Sequence, residues 1–290
     1  MRLRRKRSDG GDASSMRLFY ASDIHGSDLL WRKFLGASRF YDAAAAVMGG
    51  DLLAAIRFNG FYPWIASRAE IEQRGTETEE LFGEVAREEM RRWVALAEAK
   101  GSSNGSSNLY VMAGNDDPWY VDEILAASPA LVFCDDRVVR VDGHEMLSSS
   151  YANPTPWNSP RELDEDALYE RLKRLADQLD DSSRAIFNLH VPPYDSRLDQ
   201  APDLKPDLTP RMSGGHPVMK PVGSLAVRQL IEEVQPLLAL HGHIHESKGE
   251  VRIGRTLALN SGSEYNTGRL HGAVVTLGDE GVVSHQFVVG

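Results

Sequence analysis

The chain is patterned as short apolar runs that stop abruptly at small and polar residues. Residues 17–21 form one such run, closed by Ser22-Asp23-Ile24-His25-Gly26-Ser27. Asp28 then reads as the cap of an amphipathic helix. A second run, 43–48, closes in Gly49-Gly50-Asp51, and a third, 109–113, in Gly114-Asn115-Asp116-Asp117-Pro118. Residues 130–150 divide into two or three short strands, and 161–178 repeat as an amphipathic helix. The run 184–189 ends at His190-Val191-Pro192-Pro193, where the prolines fix the backbone. Residues 195–223 read as a long loop forming a wall or lid, and Ser224 as the cap of a helix to about 234. The run 236–240 opens into His241-Gly242-His243-Ile244-His245, and the tail alternates as strands and turns.

Strands and helices in alternation indicate an α/β protein, in which loops at the carboxyl ends of strands carry the chemistry. Any one of these polar residues suits an ordinary turn. Five apolar strands in succession, each ending in a side chain able to ligate a metal, do not. Residues two apart on extended chain point the same way, so His243 and His245 can converge on one spot. The donors gathered are Asp23, His25, Asp51, Asn115, His190, His243 and His245, oxygen and nitrogen without sulfur. That set suits manganese, iron or zinc. Residues 58–100 read as largely helical without site chemistry, and the Gly/Ser/Asn stretch 101–108 as a flexible connector.

Composition narrows the reading. At 42% hydrophobic and 26% charged, the 290 residues are ordinary for a soluble globular chain. The formal net charge is −10, although the first fifteen residues are basic. Those fifteen read as a disordered tail, followed by a single domain over 16–290. An acidic body argues against charge-driven nucleic-acid binding. It is compatible with a small phosphoester, because bound cations reverse the local sign. The single cysteine, Cys134, excludes an internal disulfide and reads as a small buried hydrophobe. With no apolar stretch of bilayer length, the expectation is a cytoplasmic protein. No glycine-rich nucleotide loop, serine nucleophile elbow or paired-cysteine zinc spacing is present.

The ordered series D-I-H, G-D, G-N, a lone H and G-H-I-H resembles the calcineurin-like metallophosphoesterase superfamily, from about Met16 to Val275. The stretch 214–224, with Gly262-Ser263-Glu264-Tyr265, resembles a prokaryotic branch of small single-domain phosphoesterases. The resemblance implies a four-layer α-β-β-α sandwich of two mixed sheets flanked by helices. It also implies two metal ions: Asp23, His25 and His245 would hold one, Asn115, His190 and His243 the other, and Asp51 would bridge. The implied reaction is phosphoester hydrolysis, of a diester more than a phosphoprotein, by a metal-bridging hydroxide. The alternative is a catalytically weak metal-binding scaffold that binds a partner protein.

One position departs from the pattern. Where the family often places a histidine after Gly-Asn, this chain has Asp116. An ordinary carboxyl is ionised near neutrality and a poor acid. The expectation is weak leaving-group protonation unless Asp116 is held neutral, with His216 in the long loop as a substitute acid. His144, His271 and His285 read as structural or surface residues.

Overall fold

A computed structural model describes residues 15–53, 78–101, 108–278 and 281–290. The basic tail, the start of the expected helical stretch and the Gly/Ser/Asn connector fall wholly or mostly outside these residues.

The first half of the chain runs β1 (Met16–Ala21), α1 (Asp28–Phe40), β2 (Ala45–Met48), α2 (Thr78–Gly101), β3 (Leu109–Val111) and α3 (Tyr120–Ala126). It continues through β4 (Val132–Phe133), β5 (Arg137–Val141) and β6 (His144–Ser149). The second half runs α4 (Glu165–Ala176), β7 (Ile186–Leu189), β8 (Gln200–Pro202), β9 (Met212–Ser213), β10 (His216–Pro217), β11 (Met219–Pro221) and α5 (Leu225–Val234). It ends with β12 (Leu238–His241), β13 (Gly249–Ile253), β14 (Thr256–Asn260), β15 (His271–Leu277) and β16 (Val282–Val289). Among the described residues these form two six-stranded sheets, ordered β16-β15-β1-β2-β3-β4 and β13-β14-β12-β7-β6-β5. Both are mixed: β1, β2, β3 and β4 run parallel, as do β6, β7, β12 and β14, while β15, β16, β13 and β5 pair antiparallel with their neighbours.

The strands alternate between two apolar environments, as a buried sheet in a sandwich requires. Leu18 and Tyr20 of β1 meet Ile186, Leu238, Leu240 and Leu259 between the sheets. Phe19 and Ala21 face the other way, onto Trp31 and Phe34 of α1 and Trp93 of α2. On the far side, Phe187 and Ala239 pack against Leu168 and Leu172 of α4 and Leu230 and Ile231 of α5. The expected four-layer α-β-β-α sandwich is therefore present. Burying each of these larger side chains contributes about 1.5–3 kcal/mol.

Three local expectations change. Ser27, not Asp28, caps α1, its hydroxyl accepting from Leu30 N; Asp28 is the first helical residue and complements the helix dipole. Arg161 lies outside α4, which begins after the Asp164 cap. The segment 195–223 is not structureless: β8 pairs with β11, and β9 with β10. Ser224 caps α5 as expected, accepting from Val227 N. Cys134 is buried, and its thiol donates to Val111 O. No described helix is long and apolar enough to cross a membrane.

Candidate metal centre

Six of the seven donors predicted from scattered strand ends meet in one place. Ligand atoms of Asp23, His25 and His245 lie within 4.8 Å of one another, as do those of Asp51, His190 and His243. The Nε2 atoms of His25 and His245 face each other at 2.8 Å. Asp23 Oδ1 is 3.4 Å from His245 Nε2 and 3.9 Å from His25 Nε2. Asp51 Oδ2 lies between the groups, 3.3 Å from His190 Nε2 and 3.9 Å from His25 Nε2.

The loops are tightly constrained. Asp23, His25, Asp51 and His243 all adopt positive φ, at 58°, 42°, 50° and 64°. Such conformations cost roughly 1–3 kcal/mol each and persist only where surrounding contacts over-determine them. Those contacts are present. Asp23 N donates to Gly50 O, His25 N to Asp51 O and Gly26 N to Leu52 O, at 2.7–3.0 Å. His243 N donates to the Asp23 carboxylate, and Ser263 Oγ to Asp23 O. Two glycines permit the close approach: a Cβ on Gly114 would sit 2.0 Å from Asp51 Oδ1, and one on Gly242 2.2 Å from Asp23 Oδ2.

Several supporting residues carry no signal in the linear sequence. The wholly buried Asp117 accepts from Leu52 N, Leu53 N and Gly114 N at 2.8–2.9 Å, tying the Asp51 loop to the Asn115 loop. Asn260 donates to Leu198 O and Ile244 O, both at 3.0 Å, and steadies the histidine loop. His241, the third histidine of that stretch, is no donor to the centre. Its Nδ1 meets Leu189 O and Val191 O at 2.8 and 3.1 Å, and because carbonyls only accept, that nitrogen carries the proton. The Tyr265 ring lies 4.5 Å from the His25 ring, covering one side of the first group.

The protonation states of His25 and His243 suit ligation. Burial, followed by the neighbouring His245, pushes His25 down to about 4. Burial and His190 push His243 down to about 3. Both rings are therefore neutral near pH 7, the form that binds metals. Burial alone would lower His190, but the Asp51 carboxylate prevails and raises it to about 10. Asp51 is held below the usual carboxylate range by the same partner, against its own desolvation. His190 Nδ1 meets Gly49 O at 2.8 Å, which leaves Nε2 directed at the centre.

An independent observation tests the fit of a metal. Asn115 is 1% exposed, yet its Oδ1 has no hydrogen-bond partner in the protein. A buried orphan acceptor costs about 1–3 kcal/mol and calls for a partner. Asn115 lies on the loop that Asp117 ties to the Asp51 loop. The residues present therefore fit two cations with oxygen and nitrogen ligands.

The two residues expected to handle protons are placed differently. Asp116 is on the rim of the centre; its backbone N donates to Asp51 Oδ1 at 3.2 Å and its carboxyl bonds the Ser159 hydroxyl. Burial, then the Asp51 charge, raises its pKa to about 7. A raised pKa is the condition the sequence reading set for Asp116 to serve as an acid. His216 lies on an exposed hairpin, opposite Ser213, and belongs to neither donor group. His144 bonds Arg184 O, and His271 and His285 face surface glutamates, in keeping with structural and surface roles.

No protein-family profile matches the chain. Uncharacterized protein MJ1162 of Methanocaldococcus jannaschii is 30% identical over 129 residues, 43% of this chain and 51% of that protein. The matched region thus spans about half of that relative. Among solved structures, the protein TT1561 of Thermus thermophilus is 13% identical, covering 96% of this chain and 99% of its own at a TM-score of 0.58. Another solved chain, 16% identical, covers 96% and 99% at a TM-score of 0.59. At these identities the likeness is one of fold. The chain shares the fold of these two solved proteins, and the donor series that resembles the calcineurin-like metallophosphoesterase pattern stands at its strand ends.

Proposed function

We propose that the protein is a dinuclear metal-dependent phosphoester hydrolase acting on small phosphodiesters. The observation that carries this reading is that Asp51, a member of the group with His190 and His243, also lies 3.9 Å from His25 of the other group. Asp23, His25 and His245 would hold one divalent or trivalent ion of manganese, iron or zinc, Asn115, His190 and His243 the other, and Asp51 both. Bound there, two such ions would supply a water activated for attack and neutralise charge on the phosphoryl oxygens. The chain's own residues set the geometry. His190 is oriented by Gly49 O, the Asp23 carboxylate is locked by His243 N, and Asp117 holds the Asp51 and Asn115 loops in register.

Asp116 is held beside Asp51 by its backbone N–H, and its carboxyl accepts from the Ser159 hydroxyl. We assign it the task of donating a proton to that oxygen. His216 has no such placement, and the role suggested for it from sequence is not carried forward. A scaffold without catalysis would have no use for four strained donor backbones, which favours hydrolysis.

The test is turnover of an aryl and an alkyl phosphodiester by the manganese-loaded protein. Both are expected to be cleaved, and a chelator to stop both. Asp116→Asn is expected to slow the alkyl ester by about a hundredfold while affecting the aryl ester far less, since a phenolate leaves without a proton. No metal-dependent turnover of either ester would favour the scaffold. Equal slowing of both esters would remove Asp116 from the proton-donor role.

A further inference from the structure

Four exposed large aromatic side chains occur among the described residues: Phe40, Trp119, Trp157 and Tyr194. Three of them lie on loops tied to the second donor group. Trp119 follows Asn115 by four residues, Tyr194 follows His190 by four, and Trp157 lies two residues before Ser159, which bonds Asp116. Trp119 and Trp157 are 53% and 47% exposed. Folding alone gives no reason to leave so much indole in water.

Neither ring sits on a loose loop. The guanidinium of Arg161 lies 4.4 Å from the centroid of the Trp119 ring, and Tyr151 is 6.3 Å away. That guanidinium is itself 1% exposed, paired with Asp122 and Asp135, and donates to Asp117 O and Pro118 O. The cation therefore braces one face of Trp119 and leaves exposed indole beyond it. The Trp157 loop is laced by Glu162, whose carboxylate accepts from Thr155 N, Thr155 Oγ1 and Ser159 N. The backbone of Arg161 is bonded to Asn115 O at 3.2 Å, which joins both loops to the same metal-donor segment.

We propose that Trp119 and Trp157 form an aromatic shelf on the Asn115–Asp116 side of the centre, which takes a planar ring carried by the phosphoester, a nucleobase or an aryl group. The inference rests on the phosphoester reading above and adds a substrate class to it. A braced Trp119 indole and a tightly bonded loop under Trp157 suit stacking, because little conformational entropy is lost on binding.

Calorimetric titration of the manganese-loaded protein with phenylphosphonate and methylphosphonate separates the two claims. Phenylphosphonate is expected to bind about tenfold tighter, the lower part of the range for one stacked ring. Trp119→Ala and Trp157→Ala should each narrow that gap severalfold and leave methylphosphonate binding unchanged. Trp157→Ala is the safer variant, since it leaves Arg161 covered. Equal affinity for the two phosphonates, or a gap that survives both substitutions, would overturn the shelf and leave the hydrolase reading standing. Binding of neither would overturn both. Methylene phosphonates of adenosine and of ribose provide the second arm: a gap between them that the substitutions close assigns a nucleobase, and a gap confined to the phenyl compound assigns an aryl group.

Discussion

Asp51→Asn is expected to lower phosphodiester turnover by at least about a hundredfold, at or above the top of the range typical of altering a residue that only orients a ligand. The change removes one negative charge from the only described carboxylate that lies within 4 Å of histidine ring nitrogens in both groups. The fold is expected to survive. Asparagine keeps an oxygen to accept from Asp116 N, now 3.2 Å from Asp51 Oδ1. It also tolerates the 50° φ at this position better than most residues. Metal analysis of the purified variant should show less than the parent's complement, with an unchanged circular dichroism spectrum. Full metal occupancy together with full turnover would show that Asp51 does not bridge.

The second large effect is on stability. Arg161 is buried and carries a two-pronged contact to Asp122, at 2.8 and 3.0 Å, and one to Asp135 at 3.3 Å. Arg161→Met keeps the apolar volume but removes the counter-charge of the buried Asp135, which is left with only its bonds from Ser150. Breaking one partner out of such a cluster costs roughly 3–5 kcal/mol. In a domain of this size the unfolding midpoint should drop by roughly 10 °C. A shift of only a degree or two would mean that the cluster contributes little to stability.

The same cluster has a pH signature. Burial pushes the Asp135 carboxyl up to about 6, above its value in an unfolded chain. The folded state thus holds this proton more tightly. Its contribution to stability is complete below about pH 4 and lost as pH rises through about 6, on the order of 2–3 kcal/mol in all. Asp135→Asn lacks that titration, so its stability relative to the parent should improve between pH 4 and pH 7. Denaturant unfolding at the two pH values checks this, and parallel profiles for parent and variant would contradict it.

The centre was legible in the sequence because each donor ends an apolar strand, and strands of a parallel core align their carboxyl ends. His25 and His245, 220 positions apart, meet for that reason. What stayed hidden depends on contacts no local pattern encodes. Asp117 reads as a turn residue until its carboxylate is seen gathering three backbone N–H groups from two loops. The state of Asp116 is set by burial, by Asp51 sixty-five positions earlier and by Ser159 forty-three later. Arg161 continues a helical pattern in the sequence, yet it leaves the helix and turns inward because Asp122 and Asp135 offer it charge. Ser27 and Asp28 are both good caps, and only the backbone angles decide between them. The excursion 195–223 reads as loop because its strands are two or three residues long.

The central claim is that these strand ends hold two cations bridged by one carboxylate. Anomalous diffraction from crystals of the manganese-loaded protein tests it most directly. The account predicts two anomalous peaks roughly 3.5–4 Å apart, on either side of Asp51, one beside His25 and His245 and the other beside His190 and His243. A single peak, or none within reach of these histidines, would contradict it.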